Sequence, residues 1–459
     1  MNTHLSLRPE FAELAALLPG RVVQPGSPTY DEQRAVIFDA ANCRPAALVR
    51  VADAADVSRV IGFAKKHGFE LAVRGGGHSS SGHGTVGGGI VIDLRGLDEI
   101  SVDPATRTVR VGGGATAKAV LKALAPHGLV VGFGDSGDVG VGGIITGGGL
   151  GYLSRVHGAT VDSVLSAEVV LADGRIVVAS AESEPDLFWA IRGGGGNFGV
   201  VTRFQFQARE LPAFTGGLLV LPGTAETITA FTAAAQAAPE ALSAIATVMP
   251  APPAPFIPDA YRGQPVIFAM MAYAGPNDMA EAAMVPFRAL SAPFDAVKPG
   301  PLLSLYEDGP MEPPGFPETR TFFVDRVGKD DAQTILGFLT ESDSVLRLVQ
   351  IRVLGGAVNR VAVADTAYAH RDAPILLYIA NFYSDKADRP KRRKWADDLM
   401  SALQQGREGA YVNFLGDEGA ARTRSAYPGA TWDRLRRIKR QYDPHNLFRR
   451  NQNIPPATE

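Results

Sequence analysis

The sequence predicts an α+β protein made of two substantial units. Its 459 residues exceed the size of one ordinary domain. In the first 200 residues, short strands and helices alternate with glycine-rich loops, and the 51 glycines cluster there. After about residue 211 glycine thins out, and longer strands and proline-rich loops follow. This change in composition predicts a boundary between residues 211 and 212.

Composition excludes several classes of protein. With 46% hydrophobic residues, 20% charged residues and a net charge of −3, the chain lacks the basic excess of a protein that binds nucleic acid or an anionic membrane. A lone cysteine, Cys43, excludes an internal disulfide, and no histidine pair has metal-site spacing, so we expect no metal. The N-terminal residues do not resemble a secretory signal, and no apolar run approaches the roughly 20 residues of a membrane span. We therefore expect a cytoplasmic protein with no membrane segment.

The first unit contains short elements separated by turn signals. Gly68 stands where a helix terminator is expected, and Asp103-Pro104 and Asp173-Gly174 favour hairpin turns. The predicted elements are a strand at 46–51, a helix at 54–66, a strand at 70–73, a hairpin with strands at 99–103 and 107–111, a helix at 117–126, a second hairpin over 166–180 and a strand at 200–208.

The second unit has longer elements. Apolar runs rich in β-branched and aromatic residues predict its strands, and helical periodicity predicts its helices. We predict an antiparallel sheet with helices on one side, extending to about residue 410. The elements are strands near 264–275, 345–356 and 374–383, helices near 278–290, 330–341 and 388–404, and a last helix that Pro444 ends.

Three glycine-rich segments in the first unit indicate a bound ligand. They are 73–82 (VRGGGHSSSG), 132–158 and 192–204. By propensity alone such runs do not make stable helices or strands, so we expect something outside the chain to order them. Their free backbone N–H groups suit phosphate or ring oxygens. Three such loops, each next to a strand, predict one long ligand contacted at several places.

A dinucleotide fingerprint is the alternative explanation. Residues 109–120 (VRVGGGATAKAV) run from a strand through G-x-G-x-x-A into a helix, and Asp135 follows at a suitable distance. The strand before it, however, belongs to a predicted hairpin and not to a parallel βαβ unit. The fingerprint is therefore weak.

Four motifs together resemble a known flavoprotein family over nearly the whole chain. They are Arg74-Gly75-Gly76-Gly77-His78, VGVGGIITGGGLGYLSRVHG (139–158), RGGGGNFGVVT (192–202) and YVNF (411–414) with YDPHNLFRRNQNIPP (442–456). Their order is similar to that of the berberine-bridge-enzyme-like branch of the p-cresol methylhydroxylase and vanillyl-alcohol oxidase flavoproteins.

The resemblance implies FAD and a three-part organisation. Residues 1–211 would form a two-subdomain FAD-binding domain of the PCMH type, 212–410 an α+β substrate-binding domain, and 411–459 a C-terminal segment that returns to the FAD domain. The family usually attaches FAD covalently through the histidine of the first motif, here His78. The implied cofactor-binding residues are His78, Arg74, Gly75, Gly76, Gly77, Ser79, Ser136, Val139, Gly140, Gly142, Gly143, Gly147, Gly148, Gly149, Gly151, Tyr152, His157, Asn197, Gly199, Val200, Val201, Asn413, Asn451 and Asn453.

Two departures from the family pattern shape the expected chemistry. Many relatives carry a second flavin bond through a cysteine, but Ser136 stands there, so we expect a single bond through His78. Several relatives use the last residue of Y-x-N-Y as a base, but that residue is Phe414 here. Phenylalanine cannot take a proton, so another residue acts as base or the substrate needs none.

Four residues are candidates for a role in catalysis. Tyr411 is an available phenol, although strand geometry would turn it away from Phe414. Asn359 stands near the position where relatives have an acid, and Arg352 would suit an anionic substrate unless it forms a structural salt bridge. A small residue at Val139 resembles the oxidases, where this position controls access of oxygen to the flavin.

The resemblance therefore predicts an FAD-linked oxidase. It would take hydride from a C–H next to O or N of a small organic substrate and pass electrons to O₂, giving H₂O₂. A flavin dehydrogenase with a different electron acceptor and a cofactor-binding protein without turnover are the alternatives. We expect a monomer or homodimer.

Overall fold

The computed structural model describes residues 9–38, 42–306 and 315–458. Its helices and strands follow one another in chain order and are numbered separately. The helices are α1 (Pro9–Leu17), α2 (Tyr30–Arg34), α3 (Ala54–His67), α4 (Ala117–Leu124), α5 (Val141–Thr146), α6 (Ser154–His157), α7 (Pro185–Ile191), α8 (Ala225–Ala237), α9 (Asn277–Arg288), α10 (Lys329–Glu341), α11 (Ala357–Arg360), α12 (Arg389–Leu403), α13 (Ala420–Ser425) and α14 (Ala430–Tyr442).

The strands belong to four sheets. They are β1 (Val22–Val23), β2 (Ala47–Arg50), β3 (Leu71–Arg74), β4 (Ile90–Asp93), β5 (Ile100–Asp103), β6 (Thr108–Gly112), β7 (Leu129–Val130), β8 (Val164–Val170), β9 (Ile176–Ser180), β10 (Val200–Gln207), β11 (Arg209–Glu210), β12 (Phe214–Pro222), β13 (Leu242–Pro250), β14 (Pro265–Ala274), β15 (Phe294–Asp295), β16 (Lys298–Pro299), β17 (Phe316–Val324), β18 (Arg347–Val353) and β19 (Ile375–Tyr383).

Two of the sheets form the N-terminal half. The four-stranded sheet has the order β1-β2-β4-β3, with β2, β3 and β4 parallel. The five-stranded sheet has the order β5-β6-β10-β8-β9 and is antiparallel throughout. Both predicted hairpins, β5–β6 and β8–β9, are confirmed. Because β6 pairs only with antiparallel neighbours, the G-x-G-x-x-A segment after it is not a Rossmann fingerprint.

Local signals place the helix that packs on the four-stranded sheet. The Asp53 carboxylate accepts a hydrogen bond from the backbone N–H of Asp56 at 2.7 Å and so caps α3. Gly68 takes the left-handed conformation, with φ of 72°, and ends the helix where the sequence predicts. Between these ends, Val57, Ile61 and other apolar residues of one face are buried against the sheet.

The eight-stranded sheet separates two cores. Its main order is β15-β12-β14-β13-β18-β19-β17, and all its pairs are antiparallel, with β16 also paired to β12. One face, with Val349 and Ile351 among its residues, packs under α8, α9, α10 and α12. The opposite face, with Leu376 and Phe323, joins the core of the five-stranded sheet. This arrangement confirms the predicted α+β class and the antiparallel sheet with helices on one side.

Candidate functional site

A cavity of about 430 Å³ lies where the glycine-rich loops, β19 and the C-terminal segment meet. Glycine is the most frequent residue in its lining, and most of the kinds of residue found there are small or polar. Of the residues predicted from the sequence, those that line it are Arg74, Gly75, Gly76, Gly77, His78, Ser79, Ser136, Val139, Gly140, Gly142, Gly143, Gly199, Val200, Val201, Tyr411, Asn413 and Asn451.

The first glycine segment leaves the end of β3 and is anchored by a buried arginine. Arg74, only 1% exposed, donates from Nη2 to Oδ2 of Asp93 at 2.8 Å. The loop then passes so close to the second segment that a Cβ on Gly76 would lie 2.5 Å from the backbone nitrogen of Gly140. Side chains cannot be accommodated at this crossing, which explains the glycines on both sides of it.

His78 lies on the cavity wall and is partly buried. Burial lowers the pKa of its imidazole, and the nearby Asp138, through its charge and its backbone carbonyl, opposes that shift only in part. Burial therefore favours the neutral form of the ring. A neutral imidazole nitrogen is a nucleophile.

The second glycine segment does contain a helix, which the sequence does not predict. Residues of α5 include Gly142 and Gly143, and burial of Val141 and Ile145 offsets the poor helix propensity of glycine. A Cβ on Gly142 would lie 2.7 Å from the carbonyl oxygen of Gly113. The glycine is thus needed for close packing of the chain on itself.

Glycines 147–151 pack against protein atoms and do not line the cavity. A Cβ added to Gly147 would lie 2.0 Å from Oδ1 of Asn413. A Cβ on Gly149 would lie 2.1 Å from Oγ1 of Thr160, and one on Gly151 would lie 2.0 Å from the Phe133 carbonyl oxygen. The Cβ of a residue replacing Gly148 would meet Tyr368 and Tyr411 at 3.3 Å. At these four residues the space that a side chain would occupy is filled by other parts of the chain, which itself requires glycine there.

The third glycine segment is tied to the C-terminal segment by buried polar groups. Asn197, which is fully buried, donates from Nδ2 to the Gln452 carbonyl at 3.1 Å and accepts from the Ile454 N–H at 3.0 Å. Lys439 Nζ donates to the carbonyls of Asn197 and Phe448 and to the Asp443 carboxylate, at 2.7, 3.0 and 2.6 Å. Asn197 therefore positions the wall of the cavity and does not itself line it.

Other predicted residues also fall outside the cavity lining. Tyr152 is buried with its ring edge-on to Tyr306, and His157 ends α6 with its Nε2 buried and unpartnered among the described residues. Asn453 lies beside the lining residue Gln452, and its Oδ1 is buried. Asn359 is exposed on α11, so the structure does not bring this candidate to the site.

Tyr411 is a brace. The segment forms a 3₁₀ turn at Val412–Phe414, so the rings of Tyr411 and Phe414 lie 5.0 Å apart, edge to face. The expected strand geometry, with these side chains apart, is wrong. The Tyr411 hydroxyl accepts hydrogen bonds from the Gly149 N–H at 2.9 Å and from Asn413 Nδ2 at 3.0 Å. Burial raises the pKa of this phenol, so it stays protonated.

Arg352 forms the structural salt bridge that the sequence allows as an alternative. Its Nη2 donates to Oδ2 of Asp135 at 2.5 Å, and its guanidinium lies 4.7 Å from the centre of the Phe414 ring. Its side chain is 5% exposed. Its positive charge is therefore balanced by Asp135, so it does not act as a free site for an anionic substrate.

Two lining residues of chemical interest are absent from the candidates that the sequence suggests. Asp135 and Tyr378 both line the cavity. Tyr378 lies opposite Gln350 in the pairing of β19 with β18, and its ring centre is 4.9 Å from that of Phe414. The alternation of side chains along β19 limits which of its residues can face the cavity. It singles out Tyr378 only when the register of β19 to β18 is known.

The residues present fit a flavin dinucleotide. Two buried polar atoms of lining residues, Nε of Arg74 and Oδ1 of Asn451, have no hydrogen-bond partner in the described part of the chain. Buried polar atoms are nearly always satisfied, so a polar ligand is expected beside them. A Cβ on the lining residue Gly143 would meet nothing within 4 Å, so this stretch of main chain is open to a ligand.

Metal clusters and membrane-spanning helices are both missing from the described ranges. No three histidine, cysteine, aspartate or glutamate side chains there are grouped as a metal ion would require. Within the same ranges, no helix has the length and apolar character needed to cross a membrane.

Sequence comparisons match two parts of the chain to known protein families and its full length to FAD-linked enzymes. The sequence profile of the FAD binding domain matches residues 45–180, and that of the berberine and berberine-like family matches residues 410–455. The chain is 28% identical to the FAD-linked oxidoreductase YgaK of Bacillus subtilis, over 96% of this chain and 97% of that protein. It is 29% identical to (R)-6-hydroxynicotine oxidase of Paenarthrobacter nicotinovorans, over 96% and 97% of the two chains.

A solved structure gives the same result. The fold superimposes on the crystal structure of 6-hydroxy-D-nicotine oxidase from Arthrobacter nicotinovorans with a TM-score of 0.84, at 28% identity, over 96% of this chain and 98% of that one. The glycine-rich segments, the C-terminal segment and the fold thus agree with both profiles. The chain contains an FAD binding domain and a berberine-like C-terminal segment, and it is an enzyme, an FAD-linked oxidoreductase similar to the berberine-bridge-enzyme-like proteins.

Proposed function

We propose that the protein is an oxidase that holds FAD through one covalent bond, made by His78. The observation that carries this proposal is the position of the His78 imidazole on the cavity wall, next to the crossing of Gly76 and Gly140. Ser136, also on the wall, cannot form the second bond that a cysteine makes in relatives.

The chain's own residues would bind and orient the cofactor with main-chain groups. Glycines of the three segments allow close approach, and the Asn451 carboxamide and the Arg74 guanidinium each offer one unpaired polar atom. Asn413, held by Tyr411 and by the Ile144 carbonyl at 2.8 Å, fixes the C-terminal turn against α5. When bound, FAD accepts a hydride from a C–H next to O or N and passes electrons to O₂, which gives H₂O₂.

Denaturing gel electrophoresis tests the covalent bond. Fluorescence of the flavin should stay with the denatured wild-type band and be absent from the His78→Ala band. His83→Ala is the matched control, since His83 also lines the cavity on the same loop, and it should keep the fluorescent band. A fluorescent His78→Ala band would refute the assignment of His78.

Oxygen use separates the oxidase from a dehydrogenase. Val139 lines the cavity, and a small side chain there supports access of O₂. We expect the reduced holoenzyme to reoxidise rapidly in air with release of peroxide, and Val139→Leu to slow reoxidation without changing the rate of reduction. Slow reoxidation of the wild type would favour the dehydrogenase.

The substrate class is best found with a panel. One relative's name specifies (R)-6-hydroxynicotine, so both enantiomers of 6-hydroxynicotine belong in it, together with benzylamine, vanillyl alcohol and xylobiose. Phe414 in place of a phenol favours amines and phenols over simple sugars. The cytoplasmic location, the domain boundaries at 211 and 410 and the monomeric or homodimeric state remain predictions, the last of which light scattering measures.

A further inference from the structure

The cavity contains one carboxylate among its described lining residues. This is Asp135, whose side chain is 29% exposed. One of its oxygens, Oδ2, accepts the hydrogen bond from Arg352. The second oxygen has acceptor capacity left, because it accepts no hydrogen bond from a side chain within the described chain.

Arg352 holds this carboxylate in one position. Besides Asp135, it donates from Nε to Oε1 of Gln350 at 2.7 Å and from Nη1 to the carbonyl of Leu150 at 3.2 Å, and it lies over the Phe414 ring. These contacts come from β18, from the second glycine segment and from the C-terminal turn. An arginine bonded on three sides leaves its carboxylate partner little freedom to rotate.

The other titratable groups that line the cavity are unsuited to accept a proton from a substrate. Burial raises the pKa of both Tyr378 and Tyr411, so these phenols stay protonated. Burial and the charge of Arg450 lower the pKa of His83 to about 4, because a proton on this imidazole would create a second buried cation beside Arg450. His78 is assigned to the cofactor. The remaining two, Arg74 and Arg450, are arginines and stay protonated.

Four titratable side chains face Asp135 from the elements packed around it. Arg352 is the one cation among them, and the other three are the phenols of Tyr378, Tyr306 and Tyr152. Burial also raises the pKa of Tyr306. The carboxylate is therefore paired with a single fixed cation and has no acidic neighbour in this set.

We propose that Asp135 is the proton acceptor of the reaction and that Arg352 positions it. This inference rests on the proposed function. The substrate is an alcohol or neutral amine with an O–H or N–H on the carbon that is oxidised. The C–H hydrogen leaves with two electrons for FAD and then O₂, the proton on O or N passes to Asp135, and a C=O or C=N bond forms.

Asp135→Asn tests the proton transfer in the flavin-loaded protein. The variant keeps the shape of the side chain and an acceptor for Arg352 but cannot take the proton. With the panel compound that reduces the wild type fastest, we expect anaerobic reduction about 10² to 10⁴-fold slower. The substrate Kd, taken from the concentration dependence, should change by less than about tenfold. Reduction by the wild type should slow at acidic pH, and the variant should lose this dependence.

Glu240→Gln is the matched control. Glu240 forms a carboxylate–arginine pair with Arg360 at 2.6 Å, but both residues are about half exposed and lie outside the cavity lining. The reduction rate and pH profile of the Glu240→Gln variant should match those of the wild type. Covalent flavin content should be unchanged in both variants, so a slower reduction of Asp135→Asn would reflect the proton transfer and not a loss of cofactor.

Sulfite gives a readout that needs no substrate. This anion bleaches the absorbance of bound flavin, and a nearby negative charge weakens its binding. Asp135→Asn should lower the sulfite Kd at least about fivefold, and Arg352→Gln should raise it by a similar factor. Arg352→Lys should restore much of the affinity. A merely structural pair would not give shifts of opposite sign.

The outcomes are distinguishable. If the wild type is reduced by a panel compound and Asp135→Asn is reduced equally fast with the same pH profile, this inference is wrong and the oxidase proposal stands. Equal sulfite affinities of the wild type, Asp135→Asn and Arg352→Gln also overturn it, because the pair would then lie away from the reactive flavin. If no panel compound reduces the wild type, both the inference and the proposed function fail.

Discussion

The cavity has two walls that are built from different parts of the chain. Glycines 75–77, 140–143 and 195–199 supply a main-chain wall, in which the absence of side chains is the functional property. Asp135, Tyr378 and Phe414 supply a side-chain wall, which depends on the register of β18 and β19. The first wall suits a cofactor with phosphates and a flat ring, and the second suits the recognition of a variable substrate.

The two walls should tolerate amino-acid substitutions differently. Adding one methyl group at the crossing in the main-chain wall displaces backbone, since the nearest atoms there are backbone atoms. Removing a hydroxyl from the side-chain wall leaves the backbone where it is. Substitutions in the first wall should therefore affect folding and FAD together, and substitutions in the second should affect the substrate alone.

The largest effect is expected from Gly140→Ala. Its Cβ would lie 2.2 Å from the backbone nitrogen of Gly76, so the two loops could not cross. We expect purified protein without flavin and a large loss of stability, measured by absorbance at the flavin band and by thermal unfolding. Gly143→Ala should fold like the wild type but bind FAD more weakly, because its Cβ meets no protein atom within 4 Å yet points from a lining residue.

The control for both glycine variants is Gly87→Ala. A Cβ on Gly87 would also meet no heavy atom within 4 Å, and Gly87 does not line the cavity. This variant should show normal flavin content and stability. A Gly140→Ala protein with a full complement of flavin would contradict the description of the main-chain wall.

The next largest effect is expected from Lys439→Met. Lys439 and Asp443 are fully buried, and the ammonium holds the carbonyls of Asn197 and Phe448 that shape the main-chain wall. Removing the cation leaves a buried carboxylate unpaired, which costs about 3–5 kcal/mol of unfolding free energy. Urea unfolding measures this loss.

An exposed ion pair with the same spacing provides the comparison. Lys394 and Asp398 lie 2.7 Å apart on α12, with side chains 77% and 47% exposed. Lys394→Met should change the unfolding free energy by less than about 1 kcal/mol. Equal effects of the two substitutions would mean that the buried pair does not hold the C-terminal segment.

A pH dependence should come from His370, which packs on Phe323 of the sheet. Burial lowers its pKa from 6.5 to about 4. Between these values the unfolded chain binds the proton and the folded chain does not, so stability falls as the pH decreases from about 6.5 to 4. The full contribution is about 3 kcal/mol.

Unfolding experiments between pH 4 and 7 check this dependence. His370→Gln should reduce the slope of stability against pH in that window. His127→Gln, a change at an exposed histidine, should leave it as in the wild type. An unchanged slope in His370→Gln would show that other groups cause the loss of stability in acid.

The smallest effect is expected from Tyr378→Phe. The Tyr378 hydroxyl makes no hydrogen bond to a described residue, so its loss should spare stability and flavin content. The KM of the best panel substrate should rise about three- to tenfold, the value of one hydrogen bond. Tyr411→Phe is the contrasting variant, because it leaves the Gly149 N–H and the Asn413 amide without their acceptor and should cost about 1–3 kcal/mol.

Much of the main-chain wall can be predicted because glycine clusters are visible in the sequence. The Arg74–His78 segment and most of the 139–143 segment are predicted to contact the ligand, and these residues line the cavity. The glycines of 147–151 are also predicted to contact the ligand, but they do not line the cavity, since a glycine needed for contact with protein and one needed for contact with a ligand look alike in a sequence. Those glycines contact Asn413, Thr160 and Phe133. These partners are distant in the sequence or belong to no recognisable motif with the glycines.

The side-chain wall is largely invisible in the sequence. Asp135 stands out there only as a possible ribose contact of a fold that is not present, and Tyr378 is one of several aromatic residues on a strand. Arg352 is a candidate from the sequence, but its partner 217 positions earlier in the chain cannot be known from it. Pairings of this kind depend on how the sheet docks on the glycine segments.

The sequence alone determined the α+β class, the hairpins, the helix over 54–66 with its end at Gly68 and the resemblance to a flavoprotein family, because propensity, capping and motif order are local properties. The tertiary structure alone decided which glycines line the cavity, the hydrogen bonds that the Tyr411 hydroxyl accepts, and the ion pair of Asp135 with Arg352. These features arise where distant segments meet, and the energy of burying a charge or a methyl group depends on the atoms that come to surround it.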